Sequence, residues 1–174
     1  STAPYQWSVC GATRADAHLV SQANGAAADG GAPSDRSVVE AILALKARGL
    51  DVMLHPFLLM DTPGFPWRGR ISVFAEEGTA GAAGAVAAFF GTAAPADFSI
   101  DDGEIVYDGP DEWSYRRMIL HMAMLAVLAG GVESFLIGSE LVALTKARDA
   151  TGAFPAVAQL RALGPYRYGR SSAA

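Results

Sequence analysis

Apolar residues recur along most of the chain at spacings typical of helices and strands. Between Ser34 and Gly49 they return every three or four positions, which predicts an amphipathic helix with Ser34 or Asp35 as its N-cap. The run DVMLHPFLLM at 51–60 is almost continuously apolar, a pattern typical of a parallel strand buried on both faces. Pro56 limits that strand, because proline donates no hydrogen bond to a neighbouring strand.

The second half of the chain repeats this order of helix and apolar strand. A long helix is predicted from Asp111, its N-cap, to Ala129, and the run SFLIG at 134–138 follows as a second buried strand. Helices that alternate with buried strands indicate β/α units around a parallel sheet. The other predicted elements are a strand at Tyr5–Cys10, a loop at Asn24–Pro33, a short strand at Ile71–Ala75, a helix at Ala80–Gly91, a hairpin at Phe98–Tyr107 with the turn Asp102-Gly103, and a helix at Phe154–Leu163.

Composition and charge narrow the classes of protein. The 174 residues suffice for one domain with a substantial core, and a hydrophobic content of 51% excludes intrinsic disorder. A net charge of −5 and a short basic tail at 161–170 argue against nucleic acid as a partner. The single cysteine, Cys10, excludes an internal disulfide framework and a cysteine zinc cluster. No cofactor or metal motif, membrane span or signal-peptide pattern is seen, so we expect no cofactor.

Glu140 is the sharpest candidate for chemistry, because it closely follows the predicted strand FLIG. Active sites of parallel β/α folds lie at the carboxyl ends of the strands. A carboxyl group that leaves an apolar wall there is desolvated, which favours the protonated form that a general acid needs. The structural alternatives are a glutamate that caps the next helix or one that pairs with a nearby arginine.

Further candidates come from the first buried strand and the loop after it. Asp61 stands at the end of that strand, where it can instead initiate an Asp-Thr-Pro turn. His55 lies within the strand, as a hydrogen-bonded core residue or a proton-transfer group. Trp67, Arg68 and Trp113 can line a carbohydrate platform, because aromatic faces cover sugar rings, or can simply pack in loops.

Two adjacent arginines on the long predicted helix have a simpler interpretation. Arg116 and Arg117 are expected on the solvated face, although one could pair with Glu112 or Glu140. The methionines of this helix are expected in or near the core rather than at a metal. Its predicted core face carries Tyr115, Met118, Ile119, Met122, Leu125 and Ala126.

Seven stretches of the chain carry a resemblance to a known family. They are TRADAHLVSQ, PSDRSVVEAILALKARGL, HPFLLMD, FPWRGRIS, AAFFGTAAPADFS, GPDEWSYRRMILHMAMLAVLAGGVESFLIGSEL and GAFPAVAQLRAL. Together they resemble the TIM-barrel-like domain of gene transfer agents, which is found in the large baseplate or host-specificity protein of phage-like tails. The resemblance covers nearly all of residues 5–163, so we expect one domain at 1–163 and an unpatterned tail at 164–174.

That family is similar to glycoside hydrolases built on an eight-stranded barrel, so the resemblance implies an α/β fold of the (β/α)8 TIM-barrel type. In those hydrolases a glutamate after the fourth strand is the general acid/base, and a second after the seventh strand is the nucleophile. Glu140 in IGSEL matches the first of these. Ser139 stands where the hydrolases usually have an asparagine that binds a sugar hydroxyl.

The chain departs from the family pattern at three places. The family's opening strand would precede Tyr5, the stretch between Asp61 and Phe65 is shortened, and the strand with the second glutamate would follow Leu163. A complete barrel takes ~250 residues, so a partial barrel is expected. Retaining hydrolysis needs two carboxyl groups about 5–5.5 Å apart, and only Asp61 offers a substitute for the second. Catalysis by this chain alone is therefore not expected.

The resemblance also implies a location and partners. It places the protein in a virion tail or baseplate, with other baseplate proteins and a glycan or cell-wall polysaccharide as partners. The alternative is a structural module or truncated remnant that has lost the reaction. The implied site has Glu140 as the general acid/base, Asp61 beside it, and Trp67, Arg68, Trp113, Ser139 and His55 as substrate-binding residues.

Overall fold

The computed structural model describes residues 33–58, 67–73 and 76–164, together with the backbone of four two-residue strands nearer the N-terminus. Those strands are β1 (Tyr5–Gln6), β2 (His18–Leu19), β3 (Gln22–Ala23) and β4 (Ala26–Ala27). They form two antiparallel pairs, β1 with β2 and β3 with β4. The first lies within the strand predicted at 5–10, whereas β4 falls in a stretch predicted as loop.

Helices and strands alternate through the rest of the described chain. The elements are α1 (Asp35–Lys46), β5 (Met53–Leu54), a 3-10 helix (Arg68–Arg70), α2 (Gly81–Phe90), a second 3-10 helix (Pro95–Asp97), β6 (Phe98–Asp101), β7 (Glu104–Tyr107), α3 (Tyr115–Leu128), β8 (Ser134–Phe135), α4 (Val142–Lys146) and α5 (Pro155–Leu163). β5 and β8 pair in parallel, with Met53 opposite Ser134 and Leu54 opposite Phe135. The fold is therefore mixed α/β with a parallel strand pair, as predicted. Within the described residues the strands do not close into a barrel.

The first helix begins and ends as its sequence predicts. Ser34 is the N-cap of α1, and its hydroxyl oxygen accepts a hydrogen bond from the backbone N–H of Ser37 at 3.2 Å. At the other end, Lys46 Nζ donates to the carbonyl oxygens of Gly130 and Gly131 at 2.9 and 2.8 Å. This contact ties the C-terminus of α1 to the C-terminus of α3 and holds the two helices side by side.

The long helix starts later than predicted. Its N-cap is Ser114, whose hydroxyl accepts from the N–H of Arg117 at 3.1 Å, so the prediction of Asp111 as the cap is wrong. Serine and aspartate are both good N-caps. Whether Asp111 or Ser114 caps α3 depends here on Glu112, which lies between these two residues. Glu112 turns its carboxylate toward the loop after α2 instead of the first turn of α3.

Arg117 is buried, which corrects the expectation that it lies on the solvated face of the helix. Its guanidinium carbon lies 3.9 Å from the ring centroid of Tyr107 and 4.1 Å from that of Trp113. Nη1 also donates to the backbone oxygen of Glu112 at 2.7 Å. The aromatic faces and the carbonyl compensate the buried charge, so an arginine fits on the inner side of α3. Arg116, half-buried, donates to Gln159 of α5 at 2.6 Å.

The hairpin of β6 and β7 matches its prediction. Both turn residues have positive φ, 47° at Asp102 and 75° at Gly103, as a two-residue type I′ turn requires. Phe98 and Tyr107 are cross-strand neighbours with ring centroids 4.8 Å apart. Phe98 packs with Leu120 of α3, which fixes the hairpin against that helix.

Two strand predictions are wrong in part. The strand at 51–60 was expected to be buried on both faces, but Met53 is 60% exposed and Phe57 50% exposed. Only one neighbouring strand pairs with β5 in the described part of the chain, so one side of it stays open. Residues 71–73 are not a strand either. Ile71 and Val73 are nevertheless buried, because their side chains join the main core without a strand partner.

The main core lies between α2, α3, α5 and the segment after the first 3-10 helix. Phe89 stacks on Tyr115 with centroids 5.2 Å apart, and Phe90 meets the same ring edge-on at 5.4 Å. This core supports the carboxyl ends of β5 and β8, where the predicted site residues lie. Its largest fully buried side chains are Val86, Phe90, Ile119, Leu144 and Leu163.

Candidate functional site

Glu140 lies just beyond the carboxyl end of β8. The parallel ladder continues one residue past β8, with the Leu136 N–H donating to the Leu54 carbonyl oxygen at 3.0 Å. The chain then turns at Glu140, whose φ of 54° is in the left-handed region. A residue with a Cβ pays roughly 1–2 kcal/mol for this conformation. The turn directs the chain from β8 into α4 and leaves the Glu140 side chain 50% exposed.

The Glu140 carboxylate is held by the N-terminal end of the first 3-10 helix. Trp67 Nε1 donates to Glu140 Oε2 at 3.0 Å, and Arg68 Nη2 forms an ion pair with the same oxygen at 2.9 Å. Glu140 Oε1 has no hydrogen bond to any residue that the structure describes. Among the described residues, one carboxylate oxygen is therefore used twice and the other has no hydrogen-bond donor.

A glycine allows the indole of Trp67 to reach this position. A Cβ placed on Gly69 would collide with Cζ2 of Trp67, so the ring packs directly on the backbone of the 3-10 helix. α4 packs against the same helix. Trp67, Arg68 and Glu140 are thus brought together by two neighbouring short helices that lie beyond the strand ends.

Arg68 is the most buried charged group at this site, with a side chain only 15% exposed. Its guanidinium carbon lies 4.2 Å from the ring centroid of Phe57, which covers it. Arg68 Nε is buried and has no hydrogen-bond partner among the described residues. The arginine therefore carries an unused donor next to its ion pair with Glu140.

His55 lies next to this cluster through the same phenylalanine. The rings of His55 and Phe57 are 4.1 Å apart, and His55 Nε2 is buried without a hydrogen-bond partner in the described part of the chain. Sequence reasoning missed Phe57. The available signal was its spacing of two residues from His55 after a strand, which places both side chains on one side of an extended chain.

Tyr115 fixes the segment that leads to Glu140, and sequence analysis treated it only as a core residue. Its hydroxyl donates to the Ile137 carbonyl oxygen at 2.8 Å. Burial raises the pKa of Tyr115, so the hydroxyl keeps its proton and remains a donor at neutral pH. A Cβ on Gly138 would approach this hydroxyl to 3.3 Å, which shows how closely the segment packs on the tyrosine.

The other predicted site residues lie in different surroundings. Trp113 is 7% exposed and lies beneath Arg117, near the hairpin of β6 and β7. Ser139 is half-buried and precedes Glu140 directly. Asp61 lies outside the described residues. The binding or catalytic roles of these residues remain predictions.

Two alternatives for Glu140 are now distinguished. It does not cap α4, whose N-cap is Leu141 without a side-chain hydrogen bond. Pairing with an arginine is what the structure shows. The expectation of a desolvated carboxyl group in an apolar wall is wrong, because the side chain is half-exposed and ion-paired. The site therefore presents a hydrogen-bond acceptor beside an aromatic ring and a shielded cation.

No group of three or more histidine, cysteine, aspartate or glutamate side chains within residues 33–58, 67–73 and 76–164 could hold a metal ion. None of the helices described is long and apolar enough to cross a membrane.

Comparison with known families places part of the chain in a known domain family. Residues 113–166 match the family model of the GTA TIM-barrel-like domain, where GTA denotes gene transfer agent. The matched range runs from Trp113 through α3, β8, α4 and α5, and it includes Glu140. The resemblance inferred from the sequence is confirmed over this range. No match was found among curated proteins.

Proposed function

We propose that the protein is a glycan-binding domain in the tail baseplate of a gene transfer agent or related phage-like particle. The family match of residues 113–166 supports an origin in such a particle. The contacts of Trp67, Arg68 and Glu140 support a glycan as the ligand. A tail that recognises a cell-wall or surface polysaccharide would use such a domain for attachment.

The observation that carries this proposal is the half-used carboxylate of Glu140. Its Oε1 atom is open to the hydroxyl groups of a sugar, which donate hydrogen bonds to carboxylates. The indole of Trp67 lies beside it and offers an apolar face with a polar edge. An acceptor next to an aromatic face matches the alternating polar and apolar surface of a sugar ring.

Binding is favoured over hydrolysis by the neighbours of Glu140. A hydrolase of this type needs two carboxyl groups, either about 5–5.5 Å or about 6.5–9.5 Å apart. Among the described residues, the groups that contact the Glu140 carboxylate are an indole and a guanidinium. Both donate to it, so the carboxylate acts as an acceptor, whereas a general acid has to donate a proton.

A structural role in the baseplate is the second candidate, and the exposed apolar side chains favour it. Met53 is 60% exposed on a parallel strand, a type of strand that is normally covered on both faces. Leu43, Leu50 and Phe57 are also about half exposed. Exposed apolar groups of this kind mark contact surfaces when they are contiguous. This candidate predicts assembly with other tail proteins but no affinity for sugars.

A glycan-binding assay separates the two candidates. Bacterial surface and cell-wall oligosaccharides are titrated into the protein by calorimetry, with Trp67→Ala as the test variant. We expect Trp67→Ala to weaken binding about tenfold or more, in line with loss of an aromatic anchor. Phe154→Ala is the control, since it removes an exposed aromatic side chain that stacks with Arg148 outside the proposed site. Absence of binding by folded wild-type protein would contradict the proposal, and release of reducing ends would replace it with hydrolysis.

A further inference from the structure

Arg68 makes an incomplete ion pair. The Nε–H and one Nη2–H of a guanidinium point the same way and together match the two oxygens of one carboxylate. In this structure Nη2 pairs with Glu140 Oε2 at 2.9 Å, but Nε has no hydrogen-bond partner among the described residues although it is buried. Leaving a buried donor unpaired is costly, and such a group calls for an explanation.

The same place holds a third donor. Trp67 Nε1 is directed at the oxygen that Arg68 Nη2 also contacts, at 3.0 Å. The indole N–H of Trp67 and the Nε–H and Nη2–H of Arg68 thus lie around one small volume, which a carboxylate oxygen of Glu140 occupies. Glu140 fills it only in part, because a single oxygen takes both contacts and the other accepts from no donor among the described residues.

We propose that Trp67 and Arg68 form a carboxylate-binding site that Glu140 occupies in the free protein, and that a glycan bearing a carboxylate displaces it. This inference rests on the proposed glycan-binding function and names the class of ligand, an acidic sugar. It replaces the role of Glu140 as an acceptor for a sugar hydroxyl with that of a competitor. The ligand carboxylate pairs with both Nε and Nη2 of Arg68 and accepts from Trp67. The sugar ring then packs on the indole.

Glu140 is suited to leaving the site. Its side chain is 50% exposed and sits on a turn beyond β8, so its withdrawal empties no position of the core. Arg68, in contrast, is fixed by Phe57 and by burial. The exchange replaces one carboxylate by another, so the charge of Arg68 stays compensated throughout. Glu140 thus acts as an internal competitor of the ligand.

The test uses two sugars that differ in one group, glucuronic acid and glucose, with acetate as the carboxylate without a sugar. Binding is followed through the NMR signals of Trp67 Nε1–H and Arg68 Nε–H. We expect glucuronic acid to shift both signals and to bind at least about tenfold more tightly than glucose or acetate. We also expect Glu140→Gln to tighten glucuronic acid binding about tenfold, because the competing charge is gone.

Arg68→Lys keeps the charge but lacks the paired donors, so we expect about tenfold weaker binding of glucuronic acid. Glu40→Gln is the matched control, since Glu40 also pairs with an arginine, Arg36, on the exposed face of α1. Glu40→Gln should leave the affinity for glucuronic acid unchanged. Circular dichroism and melting curves verify that every variant is folded.

The outcomes separate this inference from the proposed function. Glucose binding that equals glucuronic acid binding, or a loss of affinity in Glu140→Gln, would overturn the displacement but leave a glycan site that needs Glu140. Acetate binding as tight as that of glucuronic acid would overturn the acidic sugar as the ligand. If no sugar shifts either signal, the proposed function fails together with this inference.

Discussion

Glu112 and Glu140 are both half-exposed glutamates next to the start of a helix, yet their carboxylates are used in opposite ways. The Glu112 carboxylate accepts from the backbone N–H groups of Thr92 and Ala93 at 2.8 and 2.9 Å, and from the hydroxyls of Thr92 and Ser114 at 2.9 and 2.6 Å. Both of its oxygens are occupied. In the part of the chain that the structure describes, Glu140 uses one oxygen only, for two side-chain donors.

The difference between Glu112 and Glu140 distinguishes a carboxylate that stabilises the fold from one that is a candidate for ligand binding. Glu112 ties the loop after α2 to the N-cap of α3, and nearly every partner is backbone or a local hydroxyl. Such a carboxylate has no acceptor capacity left. Glu140 contacts two long side chains from a distant part of the sequence, and its Oε1 accepts from no other described residue. The number of occupied oxygens distinguishes the two more clearly than exposure does.

The largest effect we predict is on the stability of Glu112→Gln. In either orientation the new amide turns its NH2 group toward the N–H of Thr92, and the negative charge that strengthens the other hydrogen bonds is lost. We therefore expect a loss of about 2–3 kcal/mol in the free energy of unfolding. Glu140→Gln keeps an acceptor at a half-exposed site and should cost less than about 1 kcal/mol. Urea unfolding measures both. Equal losses of stability in the two variants would contradict the distinction between the Glu112 and Glu140 carboxylates.

The pH dependence of the same variant sharpens the test. Burial opposes ionisation of Glu112, but the hydrogen bonds from Ser114, Ala93 and Thr92 outweigh it, and the pKa of Glu112 is lowered from 4.5. A lowered carboxyl pKa contributes stability at higher pH that is lost as the pH falls through the folded-state pKa. Glu112→Gln should therefore flatten the loss of stability below pH 4.5, and an unchanged acid limb would contradict this. Some slope will remain, because the pKa values of Glu133 and Asp149 are lowered too.

A smaller effect is expected from Gly138→Ala, which acts on Glu140 through the segment before it. The added Cβ would lie 3.3 Å from the Tyr115 hydroxyl and from Leu160 Cδ2, so the segment must shift. We expect a loss of about 1 kcal/mol and weaker glycan binding. Tyr115→Phe removes the hydroxyl and makes room, so the double variant should lose less stability than the sum of the two single variants. Strict additivity would show that Tyr115 does not position this segment.

The sequence predicted the elements better than it predicted the site. Local signals sufficed for α1, the hairpin with Asp102-Gly103 and the end of α3, because caps and turns depend on a few neighbouring residues. The parallel pairing of β5 with β8 followed from the alternation of helices and apolar runs. Burial of the strand at 51–60 could not be predicted in this way, because it depends on which strands are present beside it.

The contacts at Glu140 were beyond local signals for the same reason. Its partners Trp67 and Arg68 lie more than 70 residues earlier in the chain, and no spacing rule links them. The family resemblance drew attention to Glu140 but implied a catalytic acid. Only the three-dimensional arrangement shows two donors on one oxygen and an unused donor on Arg68.

The smallest effect that we predict separates the contribution of the Glu140 backbone conformation to stability from that of its carboxylate. At an ordinary exposed position Gly is less favourable than Ala by roughly 0.5–1 kcal/mol, because it loses more backbone freedom on folding. Glu140 has φ of 54°, where a Cβ is strained, so the order should reverse. Both Glu140→Gly and Glu140→Ala lose the contacts of the carboxylate, and we expect the glycine variant to be more stable by about 0.5–1 kcal/mol.

Asp102→Gly compared with Asp102→Ala provides the reference pair, since Asp102 has φ of 47° in a turn that binds nothing in our proposals. Glycine should be the more stable choice there as well. If alanine is as stable as glycine at position 140 but not at 102, the Glu140 turn relaxes when its contacts are lost. The left-handed conformation would then be imposed by the contacts with Trp67 and Arg68. A ligand that displaces Glu140 would also relieve the backbone strain at this residue. If glycine is favoured equally at both positions, the turn is a fixed part of the fold and only the side chain moves.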